Sequence, residues 1–187
     1  MSSIKLSPNA SGTGAFTIAA PNSNTDRTLT LPDATGTFLT TATAGVPING
    51  PAFSAYASST TSLTNNTYIK VRFQTEEFDT NSAYDNVTNF RFQPTVAGYY
   101  QLTACINILT TGFAIVSFYK NGSEFKRGTQ LHVATSVNVQ PNSTALIYLN
   151  GSTDYVEVYA YQNSGGSVNV GANAPETYFQ GAMVRAA

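Results

Sequence analysis

Charge is what this sequence has least of. Of its 187 residues, nine are Lys or Arg and ten are Asp or Glu, 10% in all, for a net charge of −1. Soluble chains ordinarily carry about 25%. The hydrophobic fraction is 42%, so Ser, Thr, Asn and Gln have replaced charged side chains and apolar content is ordinary. Without a basic stripe there is no electrostatic footprint for nucleic acid, and none for an anionic membrane surface. No run approaches the roughly 18 apolar residues of a membrane-spanning helix. The opening MSSIKLSPNASGTG holds no apolar stretch of the kind that directs secretion. Cys105 is the single cysteine, which excludes an internal disulfide and a cysteine-based zinc site. In LTACINI it reads as a small buried hydrophobe. These absences point to synthesis in a reducing cytoplasm and to stability drawn from something other than disulfides.

Chemistry-bearing side chains are equally sparse. His132 is the only histidine, in QLHVATS, and no nucleophile-elbow motif accompanies it. Glu76, Glu77, Asp79 and Asp85 are the candidate ligands for calcium, which takes several oxygens; they lack EF-hand spacing and read as a solvated loop. The chain is therefore expected to be no enzyme and to hold no cofactor, calcium being the one ion with candidate ligands. Five Asn-x-Ser/Thr sequons, at Asn65, Asn86, Asn121, Asn142 and Asn150, are no more than this Asn/Ser/Thr-rich composition produces by chance.

What is present is β-strand grammar. GAFTIAAP (Gly14–Pro21) and RTLTLPD (Arg27–Asp33) alternate apolar and polar residues with period two, joined by the turn-rich NSNTD. Phe16, Ile18, Leu29 and Leu31 are too few for a core, so this segment needs copies of itself or a host surface. Residues 1–45 are assigned to this N-terminal segment, 46–51 to a linker and 52–187 to a folded domain.

From residue 52 the strand candidates are AFSAYAS, YIKVRF, TNFRF, GYYQLTACINIL, AIVSFYK, SEFKRGTQ, HVATSVNV, TALIYLN, YVEVYAYQ, SVNVG and TYFQGAMV. No helical period competes with them. Asn121-Gly122 between VSFYK and SEFKR predicts a type I′ hairpin, and a second Asn-Gly stands at Asn150-Gly151. Short strands joined by tight turns give an all-β sandwich, jelly roll or barrel. In YVEVYAYQ, Val156, Val158 and Ala160 share one face, with Tyr155, Glu157, Tyr159 and Tyr161 on the other. In GYYQLTACINI, Tyr99 likewise lies opposite Tyr100 and Leu102. Tyrosine on a second face suggests cover by another subunit, so Tyr99, Tyr155, Tyr159 and Tyr161 are the expected interface residues.

Phe73, QTEEF, Asp79, TNSA, Tyr84, DNVTNFR, Phe92, QPTVA, Gly98, Tyr99 and Tyr100 follow one another in a pattern that resembles the signature of the C1q-like (C1q/TNF superfamily) domain. The spacer before Phe92 is one residue longer than in that signature, and Leu102 stands at an aromatic position. The later VSFYKNG, STDYVEVYAY and TYFQGAMV also follow the family's order. The resemblance spans about residues 52 to 187. It implies a ten-strand C1q/TNF-like jelly-roll sandwich, preceded here by a short extended β-rich segment, that assembles as a trimer. Gly12–Phe38 is similar to a segment recurrent in tail-fibre and other structural proteins of bacteriophages, ahead of interchangeable binding modules.

The two resemblances imply a virion protein released by lysis: a homotrimeric fibre or adhesin, anchored to other virion proteins through its N-terminal segment. Its head would bind a host-surface glycan or protein. The alternative is a capsid decoration or tail-assembly protein that uses the trimer for assembly alone. Asn107, Asn121, Gln162 and Asn163, in the 107–113 connection, the 121–123 turn and the 162–167 loop, are the candidate ligand contacts.

Overall fold

The structure, a computed structural model, describes residues 11–13, 24, 26 and 50–187. The expected strands at 14–21 and 27–33 lie outside the described residues. The chain divides into two units, Met1–Thr37 and Phe38–Ala187. The described strands all belong to the second, and no helix occurs among the described residues.

The strands are Ala52–Tyr56 (β1), Thr61–Leu63 (β2), Ile69–Lys70 (β3), Thr75–Asp79 (β4), Tyr84–Asp85 (β5), Arg91–Phe92 (β6), Gly98–Cys105 (β7), Ile108–Lys120 (β8), Ser123–Val139 (β9), Asn142–Leu149 (β10), Val156–Gln162 (β11), Val168–Val170 (β12) and Tyr178–Ala186 (β13). A first sheet runs β10-β7-β13-β1-β4. A second runs β2-β12-β8-β11-β6-β5, with β3 paired to β11 and β9 to β8. All pairings are antiparallel. Sequential strands repeatedly change sheet, as a jelly roll requires.

Alternation puts one face of each sheet inside. Tyr100, Leu102 and Ala104 of β7 are buried, as are Val156, Val158 and Ala160 of β11. Between them lies a layer of aromatic rings. Phe53 of the first sheet stacks on Phe92 of the second at 4.4 Å and on Tyr84 at 5.2 Å, and meets Phe179 edge-on at 4.8 Å. Phe92 in turn meets Tyr100 edge-on at 5.3 Å. The two buried phenols find partners: Tyr84 Oη donates to the Phe73 carbonyl at 3.2 Å, and Tyr100 Oη to the Val96 carbonyl at 2.6 Å. Phe73, Tyr84, Phe92 and Tyr100, spaced out in sequence, are thus neighbours in the core.

The Asn121-Gly122 turn has φ of 53° and 80°, the pair of left-handed residues that a type I′ hairpin demands. It joins β8 to β9, whose expected two halves form one 17-residue strand. Residues 108–113 are not the connection expected from the sequence. They are the first half of β8, and the break read there is a register shift between Thr110 and Gly112. β2, β4 and the two-residue β5 were not expected. TSL is too short to show a pattern, and TEEFD carries carboxylates that disfavour strands until β1 pairs with it.

The stacked rings make a direct test. Phe53→Ala should cost about 3–5 kcal/mol in denaturant unfolding, the range for truncating a fully buried aromatic side chain. Val87→Ala, mostly exposed in the turn after β5, should stay within about 0.5 kcal/mol.

Candidate binding surfaces

The acidic residues at 76–85 do not converge on a common centre. Asp79 accepts from the Tyr84 and Asn81 backbone N–H groups at 2.7 and 3.2 Å. Asp85 accepts from the backbone of Val87, Thr88 and Asn89 and from Asn89 Nδ2, at 2.6–3.1 Å. Those bonds, that from Thr88 foremost, pull the Asp85 carboxyl from 3.8 down to about 2. Glu77 accepts from Ser54 Oγ at 2.6 Å. Burial, followed by the negative charges of Asp79 and Asp85, raises Glu76. Among the described residues no three His, Cys, Asp or Glu side chains are placed to hold a metal ion.

The candidate loop amides are occupied within the chain. Gln162 is fully buried; its Nε2 donates to the Leu63 and Gly166 carbonyls, while Oε1 accepts from Ser164 N and Oγ, both at 2.7 Å. Asn163 Oδ1 accepts from Phe113 N at 2.6 Å. Asn107 Nδ2 donates to Glu176 at 3.0 Å, and its N–H to Thr177 Oγ1 at 3.1 Å. Asn121 donates to Asp154 at 2.7 Å and accepts from Tyr155 N at 3.0 Å. Asp154 also takes Lys120 at 2.9 Å, and these partners, Asn121 first, lower its pKa. The amides brace the loops that were expected to use them for ligands. His132 is exposed and packs its ring edge-on to Phe113 at 4.7 Å.

The four expected interface tyrosines fall on opposite sides of the sandwich. Tyr99 lies on the outer face of the first sheet, 5.4 Å from Tyr148. Leu146, at 54% exposure, is on the same face of β10. Towards β13 and β1 this face continues through Gln101, Thr103, Gln180, Ala182 and Ala52, which with Phe78 line a shallow depression of about 320 Å³. Charged side chains are missing from that lining.

Tyr155, Tyr159 and Tyr161 lie on the outer face of the second sheet, which the chain partly covers itself. Tyr159 stacks on Tyr119 at 4.0 Å, and Tyr68 approaches Tyr161 at 5.1 Å and Tyr119 at 6.0 Å. Paired with Tyr159, Tyr161 and Tyr119 across the strands, Ser117, Ile115 and Glu157 are buried. Lys70 pairs with Glu157 at 2.5 Å, and Arg127 forms two bonds to Glu124 at 2.8 and 2.9 Å. Arg91 lies over the Tyr155 ring at 4.3 Å. Tyr68 and Tyr119 were not singled out from the sequence; the pairing of β8 with β11 that sets Tyr119 diagonal to Tyr159 joins strands distant in the chain and leaves no local signal.

In the comparisons, no family sequence model matches the chain, and no curated protein matches it. Solved structures do. The globular domain of zebrafish complement 1qA superposes with a TM-score of 0.56 at 17% identity, covering 74% of this chain and 100% of that one. Murine APRIL gives 0.56 at 11% identity, with 73% and 100% covered. Eiger TNF from S. frugiperda gives 0.55 at 9%, with 74% and 94% covered. The fold is that of the C1q and TNF globular domains. On this C1q/TNF-like jelly roll, the depression lies on the β10-β7-β13-β1-β4 face and the tyrosine cluster on the opposite one.

The shifted groups set the pH limits of the fold. The Asp85 and Asp154 carboxyls sit below their unfolded values, so their bonds stabilise the fold above about pH 4. That of Asp85 is lost as pH falls toward 2, and that of Asp154 is likewise lost on the acid side. Burial raises the phenols of Tyr84 and Tyr100, the latter to about 12, so the stabilising effect of Tyr100 fades as pH rises from 10 through 12 and that of Tyr84 also fades on the alkaline side. Melting temperature should therefore be flat across the middle range and fall at both ends, with Asp85→Asn flattening the acid limb. Equal acid limbs in Asp85→Asn and the unaltered chain would remove that carboxyl from the account.

Proposed function

We propose that the chain is a non-enzymatic bacteriophage virion protein, a homotrimeric fibre or adhesin. Its C1q/TNF-like head binds a host-surface glycan or protein, and residues 1–45 seat it on other virion proteins. The observation that carries the reading is the outer face of the first sheet. Leu146, Tyr148 and Tyr99 stand together there beside an uncharged depression. Such a face gains by being covered, and further copies of the chain supply a cover of the same low charge. The C1q-like signature around Phe73–Tyr100 supports threefold assembly, and the segment at Gly12–Phe38 supports a virion location. Three identical weak sites in one trimer engage a surface together, which raises avidity by roughly 10²- to 10⁴-fold over one site.

Leu146→Lys places an unpaired charge on the face assigned to the interface. Light scattering should then find protomers where the unaltered chain gives trimers, because burying such a charge costs several kcal/mol. A variant that stays trimeric would move the interface elsewhere. For the attachment role, the purified chain should adsorb to host cells and compete with virions, and antibody labelling should fall at the tail tip. Labelling over capsid faces with no adsorption would reassign the trimer to decoration.

A further inference from the structure

We propose that Tyr68, Tyr119, Tyr159 and Tyr161 form a saccharide-binding platform on the outer face of the second sheet, for a neutral, pyranose-containing glycan. The inference rests on the reading of the chain as a surface-binding head and gives that head its site.

The platform is built from three separate stretches of sequence. Tyr68 precedes β3, Tyr119 is the next-to-last residue of β8, and Tyr159 and Tyr161 come from β11. Ring separations of 4.0–6.0 Å make one continuous aromatic surface. The rings are half-buried, and those of β8 and β11 flank the buried Ser117, Ile115 and Glu157, their directly paired cross-strand neighbours, so their positions are set before any ligand arrives. Tyrosine has two side-chain torsions, and stacking has already fixed them; a ligand meets little ordering cost here. A pyranose ring offers a face of C–H bonds to aromatic carbon and a rim of hydroxyls to phenolic oxygen. Tyrosine joins those two kinds of surface in one side chain.

The hydrogen-bonding groups support a sugar in particular. Tyr161 Oη is engaged by Asn66 at 3.0 Å. The Tyr119 and Tyr159 hydroxyls, by contrast, have no hydrogen-bond partner among the described residues and are available to ligand hydroxyls. The adjoining charges are already matched, Lys70 with Glu157 and Arg127 with Glu124. Arg91, which has no carboxylate partner among the described residues, lies over the Tyr155 ring at 4.3 Å and not over the four platform rings, so the fit is to a neutral sugar. Of the loop amides, Gln162 makes all four of its bonds inside the chain, and Asn163 Oδ1 is held by Phe113 N. The platform also lies on the sheet opposite Leu146 and Tyr148, so a trimer closed through that other face leaves three platforms outward.

The test uses the full chain, titrated calorimetrically with neutral oligosaccharides of glucose, galactose and mannose, and with sialyllactose as the acidic counterpart. Binding of at least one neutral probe is expected, with Tyr68→Ala and Tyr159→Ala each weakening it about tenfold or more. Phe125→Ala, an exposed aromatic elsewhere on the second sheet, should bind as the unaltered chain does. Should Tyr159→Ala fail to fold by circular dichroism, the double variant Tyr119→Phe/Tyr159→Phe keeps the stack, removes both hydroxyls and should still lose affinity. Binding of sialyllactose alone, of no probe, or of neutral probes equally by all variants would overturn the platform. Host-cell adsorption separates the two levels. If the tyrosine variants adsorb normally, the platform is wrong and the surface-binding reading stands. If the unaltered chain does not adsorb, both fall.

Discussion

The structure depends on one contact between its two sheets, the stack of Phe53 on Phe92 at 4.4 Å. Phe53 belongs to β1, and Phe92 to a two-residue strand that pairs with β11 through Val156 alone. So short a strand has little ladder to hold it. The ring anchors it instead, with Tyr84 and Tyr100 closing the layer on either side. Aromatic pairs contribute about 0.5–1.5 kcal/mol beyond the area they bury, and several here share one layer. In a chain without disulfides, this layer is where the cohesion of the sandwich is concentrated.

Fixing the inner faces also decides the outer ones, because side chains alternate along a strand. With Tyr100 and Leu102 inside, Tyr99, Gln101 and Thr103 must look out of the first sheet. With Val156, Val158 and Ala160 inside, Tyr159 and Tyr161 must look out of the second. The two outer faces then diverge. The first keeps apolar side chains bare beside an uncharged depression, a surface suited to burial against copies. The second roofs itself with stacked tyrosines and paired charges, a surface suited to standing in water with its rings part-exposed. Assembly on one side and recognition on the other follow as the proposed division of labour.

Much of the sandwich is legible in local pattern. Alternation marks β7, β10 and β11, and Asn121-Gly122 marks the hairpin, since backbone sterics at one dipeptide decide that turn. The spacing of Phe73, Tyr84, Phe92 and Tyr100 is legible as a resemblance because those rings share a core. Sheet membership is not local. Nothing near Tyr99 says that it lies across the sandwich from Tyr159, and nothing in QNSGG says that Gln162 is buried as a brace. β2 and β4 exist because β12 and β1 pair with them. The candidate ligand amides were legible as polar loop residues, but their partners lie up to 99 residues away in sequence.

Threefold assembly is the claim on which the interface, the avidity and the outward placement of the tyrosines all rest. Sedimentation equilibrium of the unaltered chain across a dilution series measures it directly. The account predicts a single species of three times the 19.9 kDa protomer mass, persisting to low concentration. A stable monomer over the same range would contradict it and leave the face around Leu146 and Tyr148 without its assigned cover.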